Sequence, residues 1–296
     1  MPEGPEIRRA ADQIERALLG QDLAAVWFKF PALKRYESAL AKSHVRAIET
    51  RGKALLTHFA NELTIYSHNQ LYGIWRVCSQ PESADDAAGA SYFGKRDLRL
   101  ALHTAGTTAR LYSASDISVH RTNALAQHAF LSSVGPDVLD ASLCAEQLFE
   151  RLRSRRFAGK SLSMLLLDQK FLAGMGNYLR SEVLFNARIA PELRPKDLSD
   201  ADARVLSAAL LAVPRLSYHS DGVTHLRALA AATSTAQIAA KIARGSDDYE
   251  AHRFAVFGRD GLPCYECATQ IERIERAGRR LYFCPACQQQ RGHAQA

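Results

Sequence analysis

Four cysteines constrain this chain more than any other feature. Cys264 and Cys267 form one C-x2-C pair and Cys284 and Cys287 a second, with 16 residues between the pairs. Each pair turns two thiolates to the same side, and two such knuckles complete a tetrahedral sulfur shell suited to Zn2+. Four thiolates leave no open coordination position, so the expectation is one structural Zn2+ and no metal in the chemistry. A segment of about 40 residues buries too little apolar surface to fold alone, and a metal substitutes for the missing core. The alternative is a pair of redox dithiols, although no thioredoxin-like βαβ pattern surrounds either pair. Cys78 and Cys144 stand apart and read as buried small hydrophobes or inert thiols.

Between the knuckles the chain runs IERIERAGRRLYF. Alternation of apolar and charged residues predicts a β-hairpin turning at Ala277-Gly278. Arg279 and Arg280 then lie at or just past its tip, where a planar guanidinium can grip two phosphate oxygens. An ordinary exposed arginine pair is the plainer reading.

Upstream, the hydrophobic period divides the chain. Ile7, Ala11, Ile14 and Leu18 recur at helical spacing, Pro5 suits a first helical position, and Gly20 stops the helix, which predicts a helix over 5–19. Short runs rich in β-branched and aromatic residues follow at 23–30, 45–50, 54–59, 63–67, 74–78, 98–103 and 109–113, the pattern of an antiparallel sandwich or barrel. Residues 79–95 read as a long polar loop, and the Gly-Pro break within 131–141 as a hinge linker. The pattern then turns helical, over 143–153, 161–170, 176–187, 199–212 and 226–243. The expected architecture is α+β. An N-terminal β-sandwich domain with helices (1–130) precedes the hinge (131–141), a helical domain (142–250) and a zinc finger (251–296).

Charge is uneven along this plan. Residues 151–196 carry 10 basic and 3 acidic side chains and residues 251–296 carry 7 and 4, whereas the rest is close to neutral. A polyanion held by two basic elements accounts for that distribution, as does a solvated basic face without a partner. Hydrophobic residues at 47% and charged residues at 23% exclude global disorder. No run approaches the roughly 18 apolar residues of a membrane span, and MPEGPEIRRA has acids where a signal peptide has a basic run, so a cytosolic protein without membrane contact is expected. Within the first basic segment, Gly174-Met-Gly176-Asn177-Tyr178 turns the backbone into a helix whose N-terminal N–H groups suit phosphate, although an inter-helix turn needs no more.

The first residues offer a reagent. Removal of the initiator Met leaves Pro2 as a free secondary amine. An α-amino group titrates near ~7.7–8.0, and the positive end of the following helix disfavours its ammonium form. Its neutral form attacks a sugar C1′ to give an iminium, and the adjacent Glu3 can move protons. The plainer reading makes MPEG a Pro/Gly-rich cap on the helix.

MPEGPEIRRA at the start, RGKALL at 51–56, YSHNQLYG at 66–73, LLLDQKFLAGMGNYLRSEVLF at 165–185 and the four-cysteine finger, in this order, resemble the formamidopyrimidine-DNA glycosylase/endonuclease VIII family. GKALLTHF, YSHNQLYGIWRV and LYSASDI resemble its bacterial endonuclease VIII branch. The resemblance implies a helix–two-turn–helix element in the helical domain. It makes Pro2 the nucleophile, Glu3 the acid/base and Lys53 an active-site residue that contacts phosphate. It makes Asn177 a phosphate ligand, Arg279 the finger arginine beside the lesion, and Gln70, Leu71 and Tyr72 the triad that fills the gap left by a flipped base. His68 reads as structural.

The implied function is a bifunctional DNA glycosylase/AP lyase of base excision repair, acting on oxidised pyrimidines by β,δ-elimination. Its implied partner is damaged double-stranded DNA lying in a cleft between the two domains, bound by a monomer in the bacterial cytoplasm, on the nucleoid. The same chemistry on oxidised purines, and a non-catalytic zinc-finger DNA-binding protein, are the alternatives. Residues 219–251 look longer and richer in Ala than the corresponding endonuclease VIII loop, so recognition of the damaged base transfers least.

Overall fold

The computed structural model describes residues 2–79, 96–225, 253–276 and 278–289. The expected helix over 226–243, Ala277 and all but the first residue of the expected 79–95 loop lie outside these. The chain forms two compact units, Met1–Val134 and Gly135–Ala296.

Unit 1 is a β-sandwich with a helix packed on it. Helix α1 (Gly4–Leu18) starts one residue before the expected position, with Pro5 in its first turn. It buries Ile7, Ala11, Ile14 and Leu18, while Arg8–Asp12 and Arg9–Glu6 ion pairs line its outer face. One antiparallel sheet has the order β1 (Ala25–Phe28), β6 (Leu98–His103), β7 (Thr107–Tyr112), β5 (Ile74–Ser79). The other runs β2 (Val45–Arg51), β3 (Ala54–Phe59), β4 (Leu63–His68), β8 (Asp116–Arg121). Phe28, Ile48, Leu55, Phe59, Ile65, Trp75, Leu100, Leu111 and Val119 join the two inner faces and α1 in one core.

Three details depart from the sequence reading. The first strand is short, because Pro31 starts helix α2 (Pro31–Lys34) and Glu37 starts helix α3 (Glu37–Ala41). Strand β8 was not expected, since its Ile117 and Val119 are the only apolar residues in DISVHR. Strand β3 is buried along its whole length, because Phe130 and Leu131 pack on Ala54, Leu56 and Tyr66 on the outer side of its sheet.

Unit 2 begins as a strap. Gly135 N–H donates to the Gln169 carbonyl and Val138 N–H to the Ala173 carbonyl, and Val138 is fully buried. A Cβ on Gly135 would lie 2.6 Å from the Lys170 carbonyl oxygen, so only glycine permits this approach. Helices α4 (Ala145–Arg153), α5 (Leu162–Leu165), α6 (Asn177–Asn186) and α7 (Asp200–His219) enclose a second core with Phe157, Phe171, Leu179, Leu184, Leu206 and Leu210.

Two helix expectations need correction here. The helix expected over 161–170 stops after one turn, because Gln169 takes over the backbone. Its Nε2 donates to the Leu167 and Met175 carbonyls, and its Oε1 accepts from Gly174 N–H. The helix expected to end at 212 runs on to His219 through Pro214. Burial of Val213, Pro214 and Ser217 continues the apolar face past the proline, so packing outweighs the lost hydrogen bond. Cys144 also differs from expectation: it is exposed and caps α4, its N–H donating to Gln147 Oε1 at 2.9 Å.

Strands β9 (Glu272–Arg276) and β10 (Arg279–Phe283) form the expected hairpin. Arg279 pairs with Arg276 across the turn, where Gly278 has φ +66°. The hairpin joins unit 2 through Leu281, which is fully buried in the helical core.

Candidate active site and nucleic-acid interface

In unit 1, the groups that the resemblance singles out lie at the start of the chain and in two loops. Pro2 is half-buried, directly before α1. Glu3, the N-cap residue, is 1% exposed, and its N–H donates to Glu6 Oε2 at 2.9 Å. Its carbonyl accepts from Ile7 N–H, so the first helical turn fixes the residue next to the Pro2 nitrogen. Lys53 lies in the two-residue turn between β2 and β3, where Gly52 has φ +61°, and it is 8% exposed.

The register Ala54↔His68↔Asp116 sets the end of β4 between that turn and β8. His68 packs edge-on against Phe130 at 5.6 Å. Burial pushes its imidazole below the ordinary histidine value; Asp116 opposes this and Lys53 reinforces it. Burial and, after it, Asp116 raise the Tyr66 hydroxyl well above the ordinary tyrosine range. The face carrying His68 is therefore a set of interacting polar groups, and His68 does more than fill space.

His68 supports the next loop. Its Nδ1 accepts from Gln70 N–H at 3.0 Å, Gln70 Oε1 accepts from Ser115 Oγ at 2.6 Å, and the Tyr72 carbonyl accepts from Arg96 at 2.7 Å. Gly73 N–H closes the loop on the Asn69 carbonyl at 2.7 Å. Gln70 is held at φ +51°, a conformation that costs a non-glycine residue free energy unless its surroundings impose it. The outcome is that Leu71 and Tyr72 stand 53% and 70% exposed. Two large, largely exposed side chains stand on a loop pinned by local bonds.

In unit 2 the candidate groups lie on α6 and on the finger hairpin. Gly174, at φ +95°, turns the chain; Gly176 is the N-cap and Asn177 the first helical residue. Every residue from Tyr178 to Phe185 is buried, including Arg180 and Glu182. Glu182 accepts from the backbone N–H groups of Ala255, Val256 and Phe257 and from the Thr224 hydroxyl, all within 2.9 Å. Those bonds tie the start of the finger to the helix. Arg180 donates to the Ser163 carbonyl, Asn177 Oδ1 and the Arg280 carbonyl at 2.8, 2.6 and 3.0 Å. Arg279 is exposed and lines a groove with Lys160, Ser161, Met164, Leu167 and Asp168.

The four cysteines converge. Their sulfurs all lie within 4.8 Å of one another, with Cys264–Cys287 at 3.9 Å and Cys267–Cys284 at 3.4 Å. A tetrahedral zinc with bonds of ~2.3 Å needs sulfur separations of roughly 3.8 Å, so the donor set and its spacing fit that ion. Gln288 braces the second knuckle, accepting from Cys284 N–H and donating to the Ile189 carbonyl.

Known proteins match this chain along nearly its whole length. Residues 1–113 match the formamidopyrimidine-DNA glycosylase N-terminal domain and residues 134–225 the formamidopyrimidine-DNA glycosylase H2TH domain. Endonuclease 8 of Escherichia coli O9:H4 is 47% identical over 293 residues, covering 97% of this chain and 100% of the relative. Endonuclease 8 of Pectobacterium carotovorum gives the same identity and coverage. Among solved structures, Lactococcus lactis formamidopyrimidine DNA glycosylase, crystallised with DNA containing an AP site, superposes with a TM-score of 0.75 at 21% identity over 97% of this chain and 100% of that one. The Thermus thermophilus enzyme gives 0.73 at 27% identity, over 97% and 98%.

The chain belongs to the formamidopyrimidine-DNA glycosylase/endonuclease 8 family. Its class is that of the DNA glycosylase/AP lyases of base excision repair.

Proposed function

We propose that this enzyme removes oxidised pyrimidines from duplex DNA, with the Pro2 amine as nucleophile. The carrying observation is the 47% identity to endonuclease 8 over nearly the full chain; the Gln70-Leu71-Tyr72 sequence, which resembles the triad of the endonuclease VIII branch, supports the same reading. The lesion is flipped out of the stack at a cost of a few kcal/mol, and Leu71 and Tyr72 fill the gap. Neutral Pro2 nitrogen attacks C1′. The glycosidic bond breaks as Glu3 supplies the proton that the departing base needs, the C1′–O4′ bond then opens as the proton on the Pro2 nitrogen passes to O4′, and the open-chain sugar is left as an iminium. Loss of a C2′ proton expels the 3′ phosphate (β-elimination), and a second elimination expels the 5′ phosphate. Lys53 holds a phosphate next to the reacting sugar, and Asn177 and Arg279 hold the backbone of the same strand region.

Cys264, Cys267, Cys284 and Cys287 hold one Zn2+, whose role is to fold the finger. The enzyme works as a monomer in the bacterial cytoplasm, where its DNA substrate lies. The test is a panel of duplexes carrying an oxidised pyrimidine, an oxidised purine or an abasic site. Faster release of the pyrimidine with strand cleavage supports the reading; faster release of the purine moves the enzyme to the other branch of its family.

A further inference from the structure

Arg180 stands out among the charged side chains of unit 2. It is fully buried, and its guanidinium cannot shed its charge. Burial of a charge is expensive, and a well-packed apolar residue in its place is often neutral or stabilising. Arg180 spends its donors on oxygens from three elements: the Ser163 carbonyl in α5, the Asn177 side chain at the start of α6 and the Arg280 carbonyl in β10. Ser181, one residue on, adds a second tie to β10, its Oγ accepting from Tyr282 N–H at 3.3 Å.

The bond to Asn177 fixes chemistry as well as position. An amide side chain presents oxygen on one side and NH2 on the other, and its two ends are otherwise interchangeable. A guanidinium donor 2.6 Å away accepts only the oxygen end. The NH2 end must then point away from Arg180. Among the described residues it has no acceptor, and the side chain is half-buried. Donation from a charged group to the amide oxygen also polarises the amide and strengthens its NH2 as a donor.

We propose that Arg180 is a positioning residue for DNA binding: it turns the Asn177 amide so that its NH2 faces a phosphate, and through the Arg280 carbonyl it holds the Arg279 strand at a fixed distance from that amide. This rests on the reading of Asn177 and Arg279 as phosphate ligands. If Arg180 only filled the core, the effect of its substitution on DNA affinity would be the same with or without Asn177.

A double-mutant cycle separates the two. Binding to a duplex with a tetrahydrofuran abasic analogue is measured for wild type, Arg180→Met, Asn177→Ala and the double variant, over a range of salt. Zinc stoichiometry and thermal unfolding are followed on each. Arg180→Met is expected to lower affinity about tenfold when Asn177 is present, and to lower it at least threefold less when Asn177 is already Ala. The salt slope is expected to flatten equally in both single variants. Losses that simply multiply, with unequal slopes, overturn the proposal.

Arg180→Lys keeps the charge and loses the fork, so it runs the same cycle if the Met variant does not fold. Failure of both variants to give folded, zinc-loaded protein makes Arg180 architectural and also overturns the proposal. Failure of the wild type to bind the abasic duplex sinks the DNA reading itself, a result distinct from either.

Discussion

The 69–73 loop of unit 1 and the hairpin tip of unit 2 both carry exposed groups, but they are held in place differently. The loop at 69–73 grows from a complete sandwich core and is pinned by local bonds from His68, Ser115, Arg96 and Gly73. The hairpin sets Leu281 in the helical core and packs its other side on a small apolar cluster that includes Cys264 and Cys284. It is tied to α6 by Arg180, which donates to the Arg280 carbonyl, while Glu182 holds residues 255–257 and the four cysteines close the finger. Exposure alone therefore says little about robustness: one device tolerates loss of a bond, and the other depends on a few groups that cannot be spared.

Removing the metal breaks this comparison most severely. Chelation is expected to lower affinity for abasic DNA at least ~100-fold and to abolish strand cleavage, since metal binding here is folding free energy. The sandwich is expected to keep its cooperative thermal transition. Full activity in protein shown by elemental analysis to be zinc-free would contradict this. The next largest effect falls on Glu182. Glu182→Ala strands the backbone N–H groups of Ala255, Val256 and Phe257 and leaves the Thr224 hydroxyl only its longer bond to the Arg253 carbonyl, each stranded buried donor costing about 1–3 kcal/mol. Denaturant melts should show that loss in the transition of unit 2.

Smaller effects are expected in the loop. A Cβ at Gly73 would lie 2.4 Å from the Asn69 carbonyl oxygen, and that oxygen is backbone, so it cannot move aside cheaply. Gly73→Ala is expected to cost about 1–3 kcal/mol. It should also weaken lesion binding more than nonspecific binding, which competition with undamaged duplex would reveal. The smallest effect concerns pH. Burial, reinforced by Lys53 and opposed by Asp116, keeps the folded His68 pKa below its unfolded value. As pH falls through the ordinary histidine value, the unfolded chain takes up a proton that the folded chain refuses, and stability drops. Protonation also removes the acceptor for Gln70 N–H. His68→Asn keeps an acceptor without that titration, so its melting temperature should fall less steeply than that of wild type between about pH 7 and 5. Parallel profiles would remove His68 from the loop's support.

Much of this was legible in residue order. Periodicity located α1, most strands and the finger hairpin, because each shows one clean hydrophobic face. Strand β8 escaped because two apolar residues within DISVHR carry too little alternation to stand out. The stop after Leu165 escaped because a side chain, Gln169, imposes it. The metal ligands were read from spacing, and the other candidate site residues rest largely on resemblance. Among the groups that support them, His68 reads as structural, which agrees with its bond to Gln70 N–H, whereas the sequence assigns no role to Ser115, Arg96 or Arg180. One signal was present for the last: Arg180 and Glu182 interrupt an otherwise apolar run, LRSEVLF, and buried charges are rarely without partners. No comparable mark distinguishes Ser115 or Arg96, whose bonds to the loop exist only in the folded chain.

The amine at residue 2 is the centre of the account, and borohydride trapping addresses it directly. Enzyme incubated with abasic-site DNA and reductant, then digested and read by mass spectrometry, should carry the sugar on the Pro2 nitrogen with the initiator methionine gone. A sugar mapped to Lys53 or to any other amine, or an adduct on protein that still begins with Met1, would contradict it.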